Sequence, residues 1–207
     1  METQKPTITK INHKGYQPLF KNKLLDRLTR THIAVPISLF AIYSVILLYW
    51  AVDKIGTSFS MAILLFIGGF LTLTLVEYLV HRFLFHILEN KEWKKKLAYT
   101  MHGVHHEYPK DKMRLAMPAP LSLALASIFF GIFYLVMGNL AFAFTPGFLM
   151  GYAAYLFVHY HVHASKPPKN MFRTLWIHHS IHHFKNQTVA FGVTSPLWDV
   201  IFRTMPK

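Results

Sequence analysis

Four long apolar runs dominate the pattern of hydrophobic and polar positions along the chain. They cover residues 33–52, 59–80, 119–137 and 140–158, and Glu77 is the only charged residue within them. A helix of about 20 apolar residues crosses a bilayer, so each run has the length of one crossing. A large soluble domain also buries apolar helices, but so short a chain lacks the polar surface to cover four of them. The pattern predicts an all-α integral membrane protein with four transmembrane helices.

The links between the runs predict how these helices are connected. The links 53–58 and 138–139 are short, which predicts two tight helical hairpins. Residues 81–118 and 159–207 form longer polar segments. We expect these two segments to form one helical cap on the cytosolic side of the membrane.

The N-terminal region differs in character from the rest. Residues 1–32 are polar and basic and predict a cytosolic arm, mobile over residues 1–23. The stretch 24–30 is expected to be a short amphipathic helix that lies on the membrane. Residues 33–207 would then form a single membrane domain.

The distribution of basic residues predicts the orientation. The formal charge is +13, and of the 22 Lys and Arg residues only Lys54 lies in a predicted outer link. Basic residues concentrate on the cytosolic side of membrane proteins, so both termini and both cap segments are expected in the cytosol. The charge therefore indicates a membrane surface and anionic lipid, and no nucleic acid is expected as a partner.

Histidine is the residue type that carries the chemistry. The chain has 14 histidines and no cysteine, so a metal would be held by nitrogen and oxygen atoms. Twelve of the histidines lie in the two cap segments, and ten of them fall into spaced groups. These are His81 with His86, His102 with His105 and His106, His159 with His163, and His179 with His182 and His183.

The spacing within these groups predicts a metal centre. On a helix, positions i, i+3 and i+4 share one face, so each H-x-x-H-H motif presents three imidazoles together. His81 and His86 are five residues apart, which on an α-helix separates them by about 140°. We expect them to flank a bend or to contact different metals. His161 and His178 lie off these faces and are not counted as ligands.

Ten neutral imidazoles exceed the ligands of one ion, which predicts two metal ions with about five ligands each. Imidazole suits iron, zinc and copper, and these residues leave the metal open. The second ring nitrogen of each ligand should donate to an oxygen atom. Glu77, four residues before His81, is the best-placed carboxylate for that role, and Glu107, Asp111 and Asp199 are weaker candidates.

Four stretches of the chain resemble the membrane fatty acid hydroxylase and sterol desaturase superfamily, and are most similar to fatty acid 2-hydroxylases. They are EYLVHRFLFH, HGVHHEYPKDKMRLAMP, HYHVHAS and HHSIHHFKNQTVAFGVTSPLWDVIF, within residues 77–202. The resemblance implies that the ten histidines hold a di-metal centre that activates dioxygen. It implies iron in the active enzyme, with zinc possible in isolated protein.

The resemblance also implies the reaction, a mono-oxygenation of the alpha carbon of a fatty acid or acyl lipid in lipid biosynthesis, including that of sphingolipids. Eukaryotic members commonly carry a cytochrome b5 domain, which is not recognisable in these 207 residues. An external cytochrome b5-like or ferredoxin-like donor is therefore expected, and a bacterial cytoplasmic membrane is favoured over the endoplasmic reticulum of a eukaryote. Lys112 and Arg114 are candidates to bind the lipid head group.

Two other functions compete with this interpretation. The same centre could hydroxylate a carotenoid ring or a sterol methyl group, which would require a wider pocket. A zinc transporter or a metal store belongs to a different class. Transport would call for ligands along a path through the spans, whereas these histidines collect at one face of the predicted bundle.

Overall fold

A computed structural model of the chain describes residues 11–87 and 91–206. Residues 1–10, part of the predicted N-terminal arm, and residues 88–90, part of the predicted cap, lie outside the described residues. Within the described ranges the protein is helical and contains no strand. The α-helices are α1 (Lys23–Leu28), α2 (Ala34–Tyr49), α3 (Phe59–Leu79), α4 (Glu92–Ala98), α5 (Val104–Glu107), α6 (Ala119–Met137), α7 (Ala141–Ala164), α8 (Arg173–Phe184) and α9 (Leu197–Ile201).

Several of these helices change their winding at one end. Helix α2 continues as a π-helix over Trp50–Lys54, and α3 continues as a π-helix over Val80–Phe85. A third π-helix, Tyr99–Gly103, joins α4 to α5. Because a π-helix bonds residue i to residue i+5, side chains five apart lie roughly one turn from each other in these segments.

Three helical stretches are long and apolar enough to cross a membrane: Ala34–Lys54, Phe59–Phe85 and Lys112–Ala164. Their apolar side chains are largely exposed, and Leu135 in the third stretch is 86% exposed. Such surface is unfavourable in water and suits lipid. The described part of the chain is therefore all-helical and has three stretches suited to a membrane, as the apolar runs predict.

The third stretch reverses direction near its middle. Gly138 has φ 57°, a backbone conformation that favours glycine, and α6 ends there. The ring of Phe133 lies 5.0 Å from that of Phe144, and the ring of Phe129 lies 4.9 Å from that of Phe148. Since the residue numbers of the partners run in opposite directions, α6 and α7 are antiparallel.

Contacts divide the chain into two compact units. The apolar unit comprises residues 22–76 and 113–157, and its core contains Phe40, Leu73, Phe148 and other buried apolar side chains. The histidine unit comprises residues 1–21, 77–112 and 158–207. It contains every histidine except His32.

Within the apolar unit, α3 and α7 touch backbone to backbone. A Cβ atom on Gly147 would lie 2.6 Å from the carbonyl carbon of Phe66 and would overlap the carbonyl oxygen. A Cβ atom on Gly69 would likewise overlap the carbonyl oxygen of Phe144. Glycine at both positions permits this approach, which is a common way for membrane helices to associate.

We predict that Gly147→Ala lowers the free energy of unfolding by about 1–3 kcal/mol, because the added methyl forces the two helices apart. Thermal unfolding in detergent micelles, followed by circular dichroism, measures the change. Gly131→Ala is the matched control, since nothing lies within 4 Å of its Cβ position. It should leave stability unchanged or raise it by about 0.5–1 kcal/mol. Equal behaviour of the two variants would contradict the close approach.

Candidate metal centre

The ten spaced histidines converge within the histidine unit and form two groups of five. The first histidine group is His81, His86, His102, His106 and His182, and the second histidine group is His105, His159, His163, His179 and His183. In each group the five ligand nitrogens lie within 4.8 Å of one another. Eight of the ten side chains are buried, while His86 and His163 are half-buried.

Both H-x-x-H-H motifs contribute to both groups. On the segment that contains α5, His102 and His106 belong to the first group and His105 to the second. On α8, His182 belongs to the first group, while His179 and His183 belong to the second. The two groups are adjacent, because the rings of His106 and His183 stack with their centroids 4.1 Å apart.

The π-helix at the end of α3 brings His81 and His86 together. Their ring centroids are 5.2 Å apart, and both rings belong to the first group. Of the two alternatives expected for this pair, a bend or different metals, the second is not supported, because both rings lie in one group; the expectation assumed α-helical winding. In the π-helix Val80–Phe85 a five-residue step returns to nearly the same face, and the helix ends at His86.

The ring nitrogens in each group face one another. In the first group the Nε2 atom of His102 lies 3.0 Å from that of His81 and 2.9 Å from that of His106. In the second group the Nε2 atoms of His163 and His179 are 2.8 Å apart. Imidazole nitrogens bind metals such as zinc at about 2.0–2.1 Å, so ligand nitrogens around one ion lie up to about 4.2 Å apart. The observed clusters are close to that size.

The chemistry of the buried atoms also fits a metal. Both ring nitrogens of His183 are buried and have no hydrogen-bond partner among the described residues. An unsatisfied buried polar atom costs about 1–3 kcal/mol. A metal bound to one nitrogen of each ring would remove part of this cost. The two groups are therefore suited to hold metal ions.

Burial keeps these imidazoles neutral. Burial, with a smaller contribution from the neighbouring His81, lowers the pKa of His86 to about 3. Burial, followed by repulsion from neighbouring rings, also holds the pKa of His105, His182 and His183 well below the ordinary value. A neutral ring presents the lone pair that a metal needs.

Backbone carbonyls, and not carboxylates, accept from the outer ring nitrogens of two ligands. The Nδ1 atom of His81 donates to the carbonyl of Phe191 at 2.5 Å, and that of His182 donates to the carbonyl of Val189 at 2.8 Å. The prediction that Glu77 accepts from a ligand ring is not supported. Its carboxylate instead accepts from the backbone N–H groups of Val193 and Thr194.

The two histidines left out of the ligand set belong to neither group. His161 is half-buried and its Nδ1 lies 3.0 Å from the Ser165 hydroxyl. His178 is buried and donates from Nε2 to the Asp199 carboxylate at 3.0 Å. Burial raises the pKa of Asp199, but hydrogen bonds from His178, Thr204 and two backbone N–H groups outweigh it and hold that pKa below its usual value.

Asn12 in the N-terminal region is bound to Glu107 at the end of α5. The backbone N–H of Asn12 donates to the Glu107 carbonyl at 2.7 Å, and its side chain donates to the Glu107 carboxylate at 3.2 Å. Tyr99 donates to the other carboxylate oxygen at 2.7 Å. Glu107 therefore holds the chain after His105 and His106 in place. The sequence predicts a different role for it, as a weaker candidate to accept a hydrogen bond from a ligand ring.

Lys112 and Arg114, the two candidates to bind the lipid head group, lie in different environments. Arg114 pairs with Asp26 at 2.7 Å within the apolar unit, and its side chain is only 5% exposed. That pairing argues against the predicted head-group role, since a ligand would have to break a largely buried ion pair. Lys112 is exposed, and its Nζ lies 5.9 Å from the ring centroid of Tyr160, the neighbour of His159.

Comparison with known proteins places these features in a family. A family model described as fatty acid hydroxylase matches residues 66–204, a segment that contains all ten histidines. A dihydroceramide fatty acyl 2-hydroxylase of Arabidopsis thaliana is 32% identical over 100% of this chain and 93% of that protein. A ceramide very long chain fatty acid hydroxylase of Saccharomyces cerevisiae is 38% identical over 92% of this chain and 50% of that protein.

A solved structure is also similar. Full-length Scs7p, of which only the hydroxylase domain is visible, superposes with a TM-score of 0.85 and 35% sequence identity. The match covers 94% of this chain and 74% of that one.

Single ligand replacements should remove metal from one group at a time. We predict that His182→Ala reduces the metal bound per chain by about half, because the first group loses a buried ligand while the second keeps five. His163→Ala should do the same through the second group. Elemental analysis of purified protein measures the metal content. His161→Ala is the control and should bind as much metal as the unaltered chain; a loss there would contradict the assignment.

The metal-free protein should lose stability in acid. The pKa of each ligand ring outside the spans is lower in the folded chain than its unfolded value of about 6.5. As the pH falls below that value the unfolded chain binds protons that the folded chain does not, so the free energy of unfolding decreases. Denaturant unfolding at pH 8 and pH 5 measures it. His86→Gln should reduce the pH dependence of the free energy of unfolding. The same pH dependence in this variant and in the unaltered chain would argue against buried neutral rings.

Proposed function

The chain belongs to the fatty acid hydroxylase family, and we propose that it inserts one oxygen atom of dioxygen at carbon 2 of a fatty acid or of an amide-linked acyl lipid. It is an enzyme of the hydroxylase class, and its substrate is a fatty acyl lipid. The observation that carries the proposal is the pair of five-histidine groups inside the matched segment.

Carbon 2 is supported by the relatives and by the position of the ligands. The plant relative is named for 2-hydroxylation of a fatty acyl group. In this chain His81 lies in the last turns of the Phe59–Phe85 stretch, and His159 and His163 lie in the last turns of α7. Ligands at the ends of apolar helices favour an interfacial depth, where a lipid with its head in the polar layer presents its first carbons.

Two iron ions are the proposed cofactor. Iron and copper are the redox-active metals among those that imidazole ligands suit, and iron is chosen here because the resemblance to the fatty acid hydroxylase family implies it; the bound pair would supply the activation of dioxygen. All ten histidines are the proposed ligands, in the two groups described above. Zinc would bind the same nitrogens and is expected in protein purified without iron.

The residues of the chain would position the substrate and exclude water from the two histidine groups. Eight of the ten rings are buried, which limits the access of water to the two groups. Lys112 provides a positive charge beside Tyr160 on the turn of α7 between His159 and His163. It would hold a negatively charged or strongly polar head group and so orient the acyl chain.

Four crossings are the proposed topology. The Lys112–Ala164 stretch has 53 residues, and one crossing needs about 20. The reversal at Gly138 divides it into two antiparallel helices, α6 and α7. With the other two stretches this makes two hairpins, and residues 33–207 form the membrane hydroxylase domain that follows the basic arm 1–32.

The bias of Lys and Arg supports a cytosolic location for the histidine unit and both termini. A bacterial cytoplasmic membrane is the proposed location, with the endoplasmic reticulum as the eukaryotic equivalent. Reduction of dioxygen requires electrons, and we propose an external cytochrome b5-like or ferredoxin-like donor.

Lipid mass spectrometry on cells that express the chain tests the function. We predict acyl lipids that carry one additional oxygen atom, with fragmentation placing it on the alpha carbon. A His182→Ala and His183→Ala double variant should abolish the product, because it removes a ligand from each group, while His161→Ala should retain it. Oxygen on a sterol or carotenoid instead would overturn the substrate. No oxidised lipid, even with a reductase system supplied, would overturn the hydroxylase assignment for this chain.

A further inference from the structure

In the loop between α8 and α9, five consecutive backbone N–H groups all donate hydrogen bonds. We call residues 189–194 the carbonyl loop. All five consecutive N–H groups from Ala190 to Thr194 have acceptors. The first, Ala190, donates to the Thr204 carbonyl at 2.9 Å. Buried backbone N–H groups need such acceptors, and here they are supplied outside any helix or sheet.

Two carboxylates accept the other four N–H groups. Asp199 takes those of Phe191 and Gly192, at 2.9 and 2.7 Å, one on each oxygen. Glu77 takes those of Val193 and Thr194, at 2.7 and 2.9 Å, on a single oxygen. Its other oxygen accepts the Thr194 hydroxyl. Hydrogen bonds to charged acceptors are stronger than neutral ones, so two side chains fix the path of the whole loop.

The backbone conformation shows how tightly this path is determined. A Cβ atom on Gly192 would lie 2.9 Å from the Asp199 Oδ2 atom and would overlap the Ser195 carbonyl oxygen. Ala190 is fully buried and has φ 59°, in the left-handed region. For a residue other than glycine this conformation is unfavourable and persists only where the surroundings impose it. The anchors of the loop impose it here.

The ordered loop directs two carbonyls at two ligand rings. The carbonyl of Phe191 accepts from His81, and the carbonyl of Val189 accepts from His182. Because a carbonyl oxygen can only accept, each ring must carry its proton on Nδ1 and keep its lone pair on Nε2. The Nε2 atoms of both rings face other members of the first group.

Three of the five rings in the second histidine group lack such a partner within the described part of the chain. The buried Nδ1 atoms of His105, His179 and His183 have no hydrogen-bond partner among the described residues. The ring orientation and tautomer of these three ligands are therefore not set by the backbone. Partners on the outer ring nitrogen orient a ligand and raise its basicity, and their loss costs about 10–100-fold in metal affinity.

We propose that Glu77 and Asp199 are positioning residues for one metal site only: through the carbonyl loop they preset His81 and His182, and they make the first histidine group the tighter of the two sites. The inference rests on the proposed metal centre. Its consequence is that the two ions leave the protein at different rates, the second group releasing its ion first.

The test measures metal release from the purified full-length chain in detergent. The chain is loaded with Co²⁺, whose visible absorption reports ligand geometry, and is then mixed with excess chelator. We expect two phases of release from the unaltered chain. His86→Ala and His163→Ala assign the slow phase to the first group and the fast phase to the second, because each variant removes one phase.

Asp199→Asn and Glu77→Gln should each accelerate the slow phase by about 10–100-fold and leave the fast phase unchanged. In either variant an amide NH₂ group replaces an oxygen that accepts a hydrogen bond from the loop. Thr194→Val is a milder variant that removes only the hydroxyl bond to Glu77, and it should give a smaller acceleration of the same phase. It keeps the test valid if a carboxylate variant does not fold.

Asp26→Asn is the matched control, since it also replaces a largely buried, paired carboxylate. It should lower the melting temperature without changing either release phase. Equal acceleration of both phases by Asp199→Asn or Glu77→Gln, or of neither, would overturn the inference while leaving a two-metal centre intact. A chain that binds no Co²⁺ in either group would overturn both this inference and the proposed metal centre.

Discussion

The rest of the structure depends on holding ten imidazole rings close together in the protein interior, with those outside the spans kept uncharged. Burial disfavours the imidazolium ion, and each ring that stays neutral also spares its neighbours a repulsive charge. Neutral rings still carry polar nitrogens, which water cannot reach and which therefore need partners. The only partners dense enough for such a cluster are other imidazoles, backbone carbonyls and a metal. The helices, turns and loops of the histidine unit provide the neighbouring imidazoles and the backbone carbonyls. The clustered ring nitrogens suit a metal.

Departures from regular α-helix serve this arrangement. The π-helices Val80–Phe85 and Tyr99–Gly103 carry or adjoin five of the ten rings. Such segments are rare and occur often at functional sites. Here they turn rings toward the groups that regular winding would direct elsewhere, as His81 and His86 demonstrate. Asp199 also serves several partners, because its carboxylate accepts hydrogen bonds from two loop N–H groups, the Thr204 hydroxyl and His178.

Much of this could be predicted from residue type and spacing. The apolar runs predict the membrane helices because burial in lipid acts on every residue of a run, and the ten histidines are recognisable because metal ligation demands that residue at fixed intervals. Two ions with about five ligands each could be predicted from the number of rings, but the membership of each group could not, since α-helical geometry places the three rings of each H-x-x-H-H motif together and only tertiary packing separates them. Glu77 was identified as important but given the wrong partner, because carbonyls such as that of Phe191 leave no trace in residue identity. The ion pair of Arg114 could not be predicted because Asp26 is 88 positions away.

The sharing of both H-x-x-H-H motifs between the two groups has a consequence for biogenesis. Each group draws ligands from the middle of the chain and from α8, so neither is complete until α8 has emerged from the ribosome. By then every apolar stretch has already been synthesised, and the spans can enter the bilayer before any ligand set closes. Metal would then join segments about a hundred residues apart at the last step, where the entropy lost in closing so long a loop is greatest. The maturing chain would therefore acquire its two ions as a late, nearly simultaneous event, and a cell short of metal would accumulate inserted but unfinished protein.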